Sequence, residues 1–115
     1  MATEIREPAP DGVATLSVQV IDRERGTAVQ ISGELDFFCC PRLSQVVEDI
    51  NIDGRRRVVL DLTGLKFCDA GGVRALLRAH RSVGAQGGQL VVRGVSGQPR
   101  RVLAITGVDQ VLDLD

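Results

Sequence analysis

Residues 57–72 read RVVLDLTGLKFCDAGG, and this stretch predicts a buried strand followed by the start of a helix. The apolar run 58–62, interrupted by Asp61, is typical of a buried strand. A turn at Gly64 and a loop then lead to Asp69, whose side chain suits the cap of the helix that begins there. Because a helix start leaves backbone N–H groups unpaired, this point of the chain suits the docking of a phosphate or of a partner's carbonyl.

Alternation of apolar and polar residues before this stretch predicts an antiparallel hairpin. The alternation covers residues 15–21 and 28–32, with a polar turn between them. Residues 1–12 contain two prolines and no apolar period, which predicts a flexible tail. Residues 13–115 are then expected to form a single domain with one buried core.

Three helices are predicted to alternate with the remaining strands. Apolar residues spaced i, i+3, i+4 and i+7 predict one helix that starts at Pro41 and a second after Gly72. A short apolar strand over residues 89–93 precedes a third helix from Pro99, and residues 111–114 suit a last edge strand. The order β-β-α-β-α-β-α(-β) requires crossovers between most strands. We therefore expect an α/β (α+β) fold with a mixed four- to five-stranded sheet and short helices.

The composition argues against several classes of function. The net charge is −1, aromatic residues make up 3% of the chain, and tryptophan and tyrosine are absent. Neither a basic nucleic-acid surface nor a base-stacking platform is therefore predicted. No apolar run is long enough to span a bilayer and the N-terminus lacks a signal-peptide pattern, which predicts a cytoplasmic protein without membrane insertion.

Three carboxylates are candidates for a functional site. Asp36 and Asp69 each follow a strand and precede a helix, and binding sites of open α/β sheets gather at that edge; the simpler alternative is that each caps a helix. Asp61 lies inside a strand, and we expect it to point toward the same edge and to be held there by hydrogen bonds. His80, the only histidine, is predicted to lie on the buried side of its helix. Since catalysis needs further convergent groups, we predict no enzyme, metal, cofactor or small-molecule substrate.

Four motifs follow one another along the chain. They are GELD at 33–36, PRL at 41–43, VVLDLTGLKFCD at 58–69 with Gly72 after it, and VLxxTGV at 102–108. Together they resemble the STAS domain family, and within it the bacterial anti-sigma factor antagonists. The likeness covers nearly all of the chain after residue 13, and it implies a STAS-like fold.

The resemblance also implies a function and a site. Such antagonists bind an anti-sigma factor, usually of the serine-kinase type, and so free a sigma factor. In the family the kinase phosphorylates a serine directly after the aspartate, and this modification blocks binding. This chain has Ala70 there and Gly71 next, so the phosphoacceptor is lost and the usual switch is expected to be missing. A second class of function stays open, a STAS subunit of a lipid-transport ABC complex or a stress-signalling scaffold. The partner-binding residues implied are Asp36, Asp69, Ala70, Gly71, Gly72 and Arg74, with Asp61 as a structural acid near them.

The three cysteines support a separate hypothesis. Their odd number and spacing fit neither a disulfide framework nor a four-ligand zinc site. Cys39 stands where family members often have threonine, and Cys68 directly precedes Asp69. A helix N-terminus favours a thiolate, so we hypothesise that Cys68 with Cys39 or Cys40 makes a redox-sensitive replacement for phosphorylation. The alternative is that the cysteines are small buried hydrophobic residues.

Overall fold

The computed structural model describes residues 2–8, 15–23, 26–37, 40–50 and 57–115. Strands and helices alternate along most of this length, as the apolar periods predicted. The elements are β1 (Ala2–Pro8), β2 (Thr15–Arg23), β3 (Gly26–Leu35), α1 (Cys40–Glu48), β4 (Arg57–Cys68), α2 (Ala70–Ala85), β5 (Gln89–Arg93), α3 (Gly97–Ile105), a short 3-10 helix (Val108–Gln110) and β6 (Asp113–Leu114).

The described strands form one mixed sheet in the order β1-β2-β3-β4-β5-β6. The pairs β1–β2 and β2–β3 are antiparallel, whereas β3–β4, β4–β5 and β5–β6 are parallel. The predicted hairpin, the parallel crossovers and the α/β class are therefore confirmed. The sheet has six strands, one more than the largest number expected from the sequence.

The additional strand is β1, which lies within the region expected to be a flexible tail. Ala2 pairs with Ile21 and Pro8 with Thr15, so the whole strand runs along the edge of the sheet. The sequence gives no apolar period there because an edge strand is held by backbone hydrogen bonds and needs no buried side-chain face. Proline, which has no N–H to donate, is tolerated at such an edge. Residues 1 and 9–12 of the predicted tail lie outside the described residues.

Strand β4 continues to Cys68, so the turn expected at Gly64 is wrong. Its pairing with β3 shifts register twice, each time by one extra residue of β4. Each shift is a β-bulge, which changes the face that the following side chains occupy. A Cβ at Gly64 would lie 2.7 Å from the Cβ of Ser32, so the strands approach too closely there for another side chain. The fully or nearly fully buried positions of β4 are accordingly Val58, Leu60, Leu62, Leu65 and Cys68, at first two and then three residues apart.

A single apolar core lies on one face of the sheet, where the inner residues of β3 and β4 meet the helices. Helix α2 has its buried face at Val73, Leu76, Ala79 and Val83, close to the predicted period. His80 is half-buried, and its Nδ1 atom is buried with no hydrogen-bond partner among the described residues. The opposite face of the sheet carries alternate residues such as Asp61, which are partly exposed.

Candidate partner-binding site

Asp69 caps α2 and also holds the end of β3. One carboxylate oxygen, Oδ1, accepts a hydrogen bond of 2.9 Å from the Gly72 N–H, and Oδ2 accepts one of 3.1 Å from the Phe37 N–H. The Asp69 N–H donates in turn to the Leu35 carbonyl at 3.3 Å. The residue is extended, with φ −101° and ψ −172°, as an N-cap requires. The predicted cap is thus confirmed, and the same side chain joins two parts of the chain that are 32 residues apart.

The two glycines after Ala70 let α2 begin directly against β3. A Cβ on Gly72 would lie 2.3 Å from the Leu35 carbonyl oxygen and 2.7 Å from the Cys68 sulfur. A Cβ on Gly71 would lie 2.9 Å from the Phe37 Cα. Since real side chains essentially never make contacts this short, packing explains both glycines without any bound phosphate.

These contacts bring the predicted site residues together at one end of the sheet. We call the surface formed by Asp36, Phe37, Asp69, Ala70 and Gly71 the ledge. Ala70 is the first residue of α2 and is exposed, Asp36 is half-buried, and Phe37 leaves 66% of its surface exposed. Gly72 is buried beneath the ledge and Arg74 is exposed one helical turn further along.

A groove runs from the ledge between α1 and α2. Phe37, Gln45 and Glu48 lie on one side of it, and Gly71, Arg74 and Arg78 lie on the other. We call this feature the α1–α2 groove. Sequence reasoning missed Phe37, although a bulky apolar residue directly after Asp36, at the end of a strand, was a signal that could have found it.

Gln98 is a second residue that the sequence analysis missed. Its Nε2 donates to the Cys68 carbonyl at 3.0 Å, and its Oε1 accepts from the Cys68 N–H at 2.9 Å. The side-chain amide therefore pairs with β4 as the backbone of a neighbouring strand would, and it ties the first turn of α3 to the base of the ledge. No sequence signal links two residues 30 positions apart.

Asp61 does not lie at the ledge, and the expectation that it points toward that edge is wrong. It accepts hydrogen bonds from the Thr63 N–H at 3.0 Å and from the Thr63 hydroxyl at 2.6 Å. It pairs across the sheet with Gln30 and Arg93. Strand alternation sets Asp61 on the face opposite Leu60, and the two bulges separate it from the end of β4. Hydrogen bonds do hold it, as expected, but on the sheet face opposite the buried Leu60.

Cys68 is fully buried, which contradicts the expectation of a reactive thiolate at this position. Burial, and secondarily the negative charge of Asp69, raise the pKa of the Cys68 thiol from 9.0 to about 12. Its sulfur donates to the Asp69 carbonyl at 3.6 Å. For Cys68 the geometry favours the small buried hydrophobic residue over the redox centre. Cys39 and the side chain of Cys40 lie outside the described residues.

The part of the chain that the structure describes contains no group of three or more His, Cys, Asp or Glu side chains that could hold a metal ion. Within the same residues, no helix has the length and apolar character needed to cross a membrane. What the ledge and the groove offer chemically is hydrogen-bonding groups, charge and an exposed aromatic side chain. These are the features of a surface that contacts another macromolecule.

Comparisons with known proteins agree with this fold. An anti-sigma-B factor antagonist of Staphylococcus aureus (strain NCTC 8325 / PS 47) is 23% identical over 100 residues, which are 87% of this chain and 93% of that protein. A crystal structure of an anti-sigma factor antagonist from Mycobacterium paratuberculosis has 27% identity and a TM-score of 0.76, over 94% of this chain and 89% of that one.

The unphosphorylated form of the anti-sigma factor antagonist SpoIIAA has 16% identity and a TM-score of 0.63, over 85% of this chain and 86% of that one. The family model described as "Mlab, STAS domain" matches residues 19–113, from the middle of β2 to the start of β6. Because this match spans most of the sequence, the chain belongs to the STAS domain family.

Proposed function

We propose that this protein is an anti-sigma factor antagonist, which binds an anti-sigma factor at the ledge and so frees a sigma factor. The observation that carries the proposal is the double hydrogen bonding of Asp69, which fixes the start of α2 and the exposed Phe37 beside each other. An exposed aromatic side chain on an ordered backbone suits the centre of a protein interface. The names of the S. aureus and M. paratuberculosis proteins support the same function.

The finer part of the proposal concerns control. We infer that the partner is an anti-sigma factor of the serine-kinase type that binds this protein but cannot phosphorylate it at Ala70. Ala70 is exposed at the first position of α2, so a kinase could reach it, but it has no hydroxyl. A phosphate there would add about −1.5 to −2 charges beside Asp69 and Asp36, and an acidic partner surface would then be repelled. Without it, binding is expected to be constitutive.

A release assay tests the function directly. Each sigma–anti-sigma factor complex from the source genome is immobilised through the anti-sigma factor, and sigma factor released by this protein is measured. We expect release from at least one complex. Phe37→Ala should reduce the release about tenfold because it removes an exposed interface anchor. Ile105→Ala is the matched control, since Ile105 is 83% exposed at the far end of α3 and should have no effect.

Two results would contradict the proposal: no release from any complex, or equal release by wild type and Phe37→Ala. The control step is tested by adding ATP to the captured kinase with wild type or with Ala70→Ser. We expect phosphate only on Ala70→Ser. Capture of transporter permease or ATPase subunits with no anti-sigma factor would instead support the alternative, a STAS subunit of a lipid-transport ABC complex.

A further inference from the structure

We propose that the α1–α2 groove takes an acidic amphipathic helix of the partner protein, with its carboxylates against Arg74 and Arg78 and an apolar residue against Phe37. This inference rests on the proposed function, since it names the part of the partner that the same surface takes. A helix is the proposed occupant because the groove lies between the two helices α1 and α2, and a third helix can pack its side chains into such a groove.

The charges along α2 carry the inference. Arg74 and Arg78 are exposed, one helical turn apart, so their side chains leave the same face of α2 with about 6 Å between their Cβ atoms. Neither arginine has an ion-pair or hydrogen-bond partner among the residues that the structure describes. A carboxylate pair spaced i, i+4 on an opposing helix has the same spacing, so both pairs can form at once.

Phe37 and Glu48 favour one orientation of a helix bound in the groove. Phe37 lies at the ledge end and is the aromatic side chain that an apolar residue of the incoming helix would cover. On the α1 side, Glu48 is exposed and lines the groove together with Arg78. An acidic helix is therefore attracted by the α2 side and repelled by the α1 side, which favours one orientation over the others.

The test uses the full chain and a defined probe. The probe is a synthetic 18-residue helical peptide with Glu pairs spaced four residues apart along one edge of a leucine face. Its control has Gln in place of each Glu. Binding is followed by NMR chemical shifts of the labelled protein. We expect the acidic peptide to shift residues of the α1–α2 groove and the Gln peptide to bind about tenfold more weakly, with the difference shrinking as salt rises.

Charge variants then locate the contact. The double change Arg74→Glu and Arg78→Glu should weaken the acidic peptide about tenfold or more, whereas Glu48→Gln should strengthen it slightly. Arg101→Glu is the matched control on α3, where an exposed arginine outside the groove should not matter. The inference is overturned if Arg101→Glu weakens binding as much as the groove variants. It is also overturned if an oligonucleotide of equal charge binds as tightly.

The same variants separate this inference from the proposed function. If the Arg74→Glu, Arg78→Glu protein releases sigma factor as efficiently as wild type, the proposed function is retained and the binding of an acidic helix in the groove is refuted. If the peptide binds in the groove but no anti-sigma factor complex responds, the surface chemistry stands and the identity of the partner is wrong. A thermal melt of each variant shows that the fold is retained, and exposed arginines without partners should leave the midpoint unchanged.

Discussion

Replacing Gly72 by alanine is expected to destabilise the protein, although alanine is the better helix former. A Cβ at this position would lie 2.3 Å from the Leu35 carbonyl oxygen, a backbone atom that also accepts the Asp69 N–H. The start of α2 must therefore move away from β3 by more than half an ångström, or the new methyl group cannot fit. Overpacking of this kind costs about 1–3 kcal/mol, and the intrinsic gain of alanine over glycine in a helix offsets about 0.5–1 kcal/mol of that.

The matched control is Gly84→Ala in the last turn of the same helix. A Cβ there meets no atom within 4 Å, so only the intrinsic gain of about 0.5–1 kcal/mol remains. The two variants should differ by about 2 kcal/mol in free energy of unfolding, with Gly72→Ala the less stable. Urea unfolding followed by circular dichroism measures this difference, and the slope should not change because both variants bury the same surface. Equal stability of the two proteins would refute the close packing of α2 on β3.

Three further predictions concern the residues around the ledge. In wild type the free energy of unfolding should fall by up to about 1.4 kcal/mol per pH unit above pH 9, because the unfolded Cys68 thiol loses its proton at 9.0 and the folded one only near 12. Urea unfolding measured at several pH values from about 8 to 10.5 should show a weaker pH dependence of stability for Cys68→Ala. Because the chain has no tyrosine, few other groups change protonation in this range. Gln98→Ala should cost about 1–2 kcal/mol in a urea titration because it leaves the backbone groups of Cys68 unpaired, and Gln110→Ala, whose exposed side chain makes none of these bonds, should not. Ala70→Glu should release sigma factor about tenfold less well in the immobilised assay without lowering the melting temperature, because a negative charge suits a helix start but repels an acidic partner helix. A loss of stability instead would show that Ala70 is structural.

The sequence was sufficient where local periods determine structure. Alternation in residues 15–21 and 28–32 predicted the hairpin, and the spacing of Val73, Leu76 and their neighbours predicted α2. Asp69 was predicted as a cap because its side chain bonds to the backbone three residues away.

The failures have a common physical cause, since each involves a contact between distant parts of the chain. β1 pairs with β2 through the backbone, and the β4 bulges accompany the close approach of Ser32 to Gly64. Those bulges follow Asp61 and separate it from the end of β4, whereas alternation with Leu60 sets its side chain on the opposite face of the sheet. The hydrogen bonds of Gln98 to Cys68 and the burial of Cys68 likewise require tertiary structure. A helix start by itself would lower the pKa of the thiol, but burial raises it.

The two hydrogen bonds of Asp69 also bear on how fast a partner can associate. One holds the backbone of Phe37 and the other holds the start of α2 in the free protein, so this anchor does not have to be ordered after the first encounter. Stopped-flow traces should then show a rate constant that rises linearly with partner concentration, without the plateau that a slow rearrangement imposes. Asp69→Ala removes both hydrogen bonds and should introduce that plateau. Affinity would then fall through slower association as well as through faster dissociation.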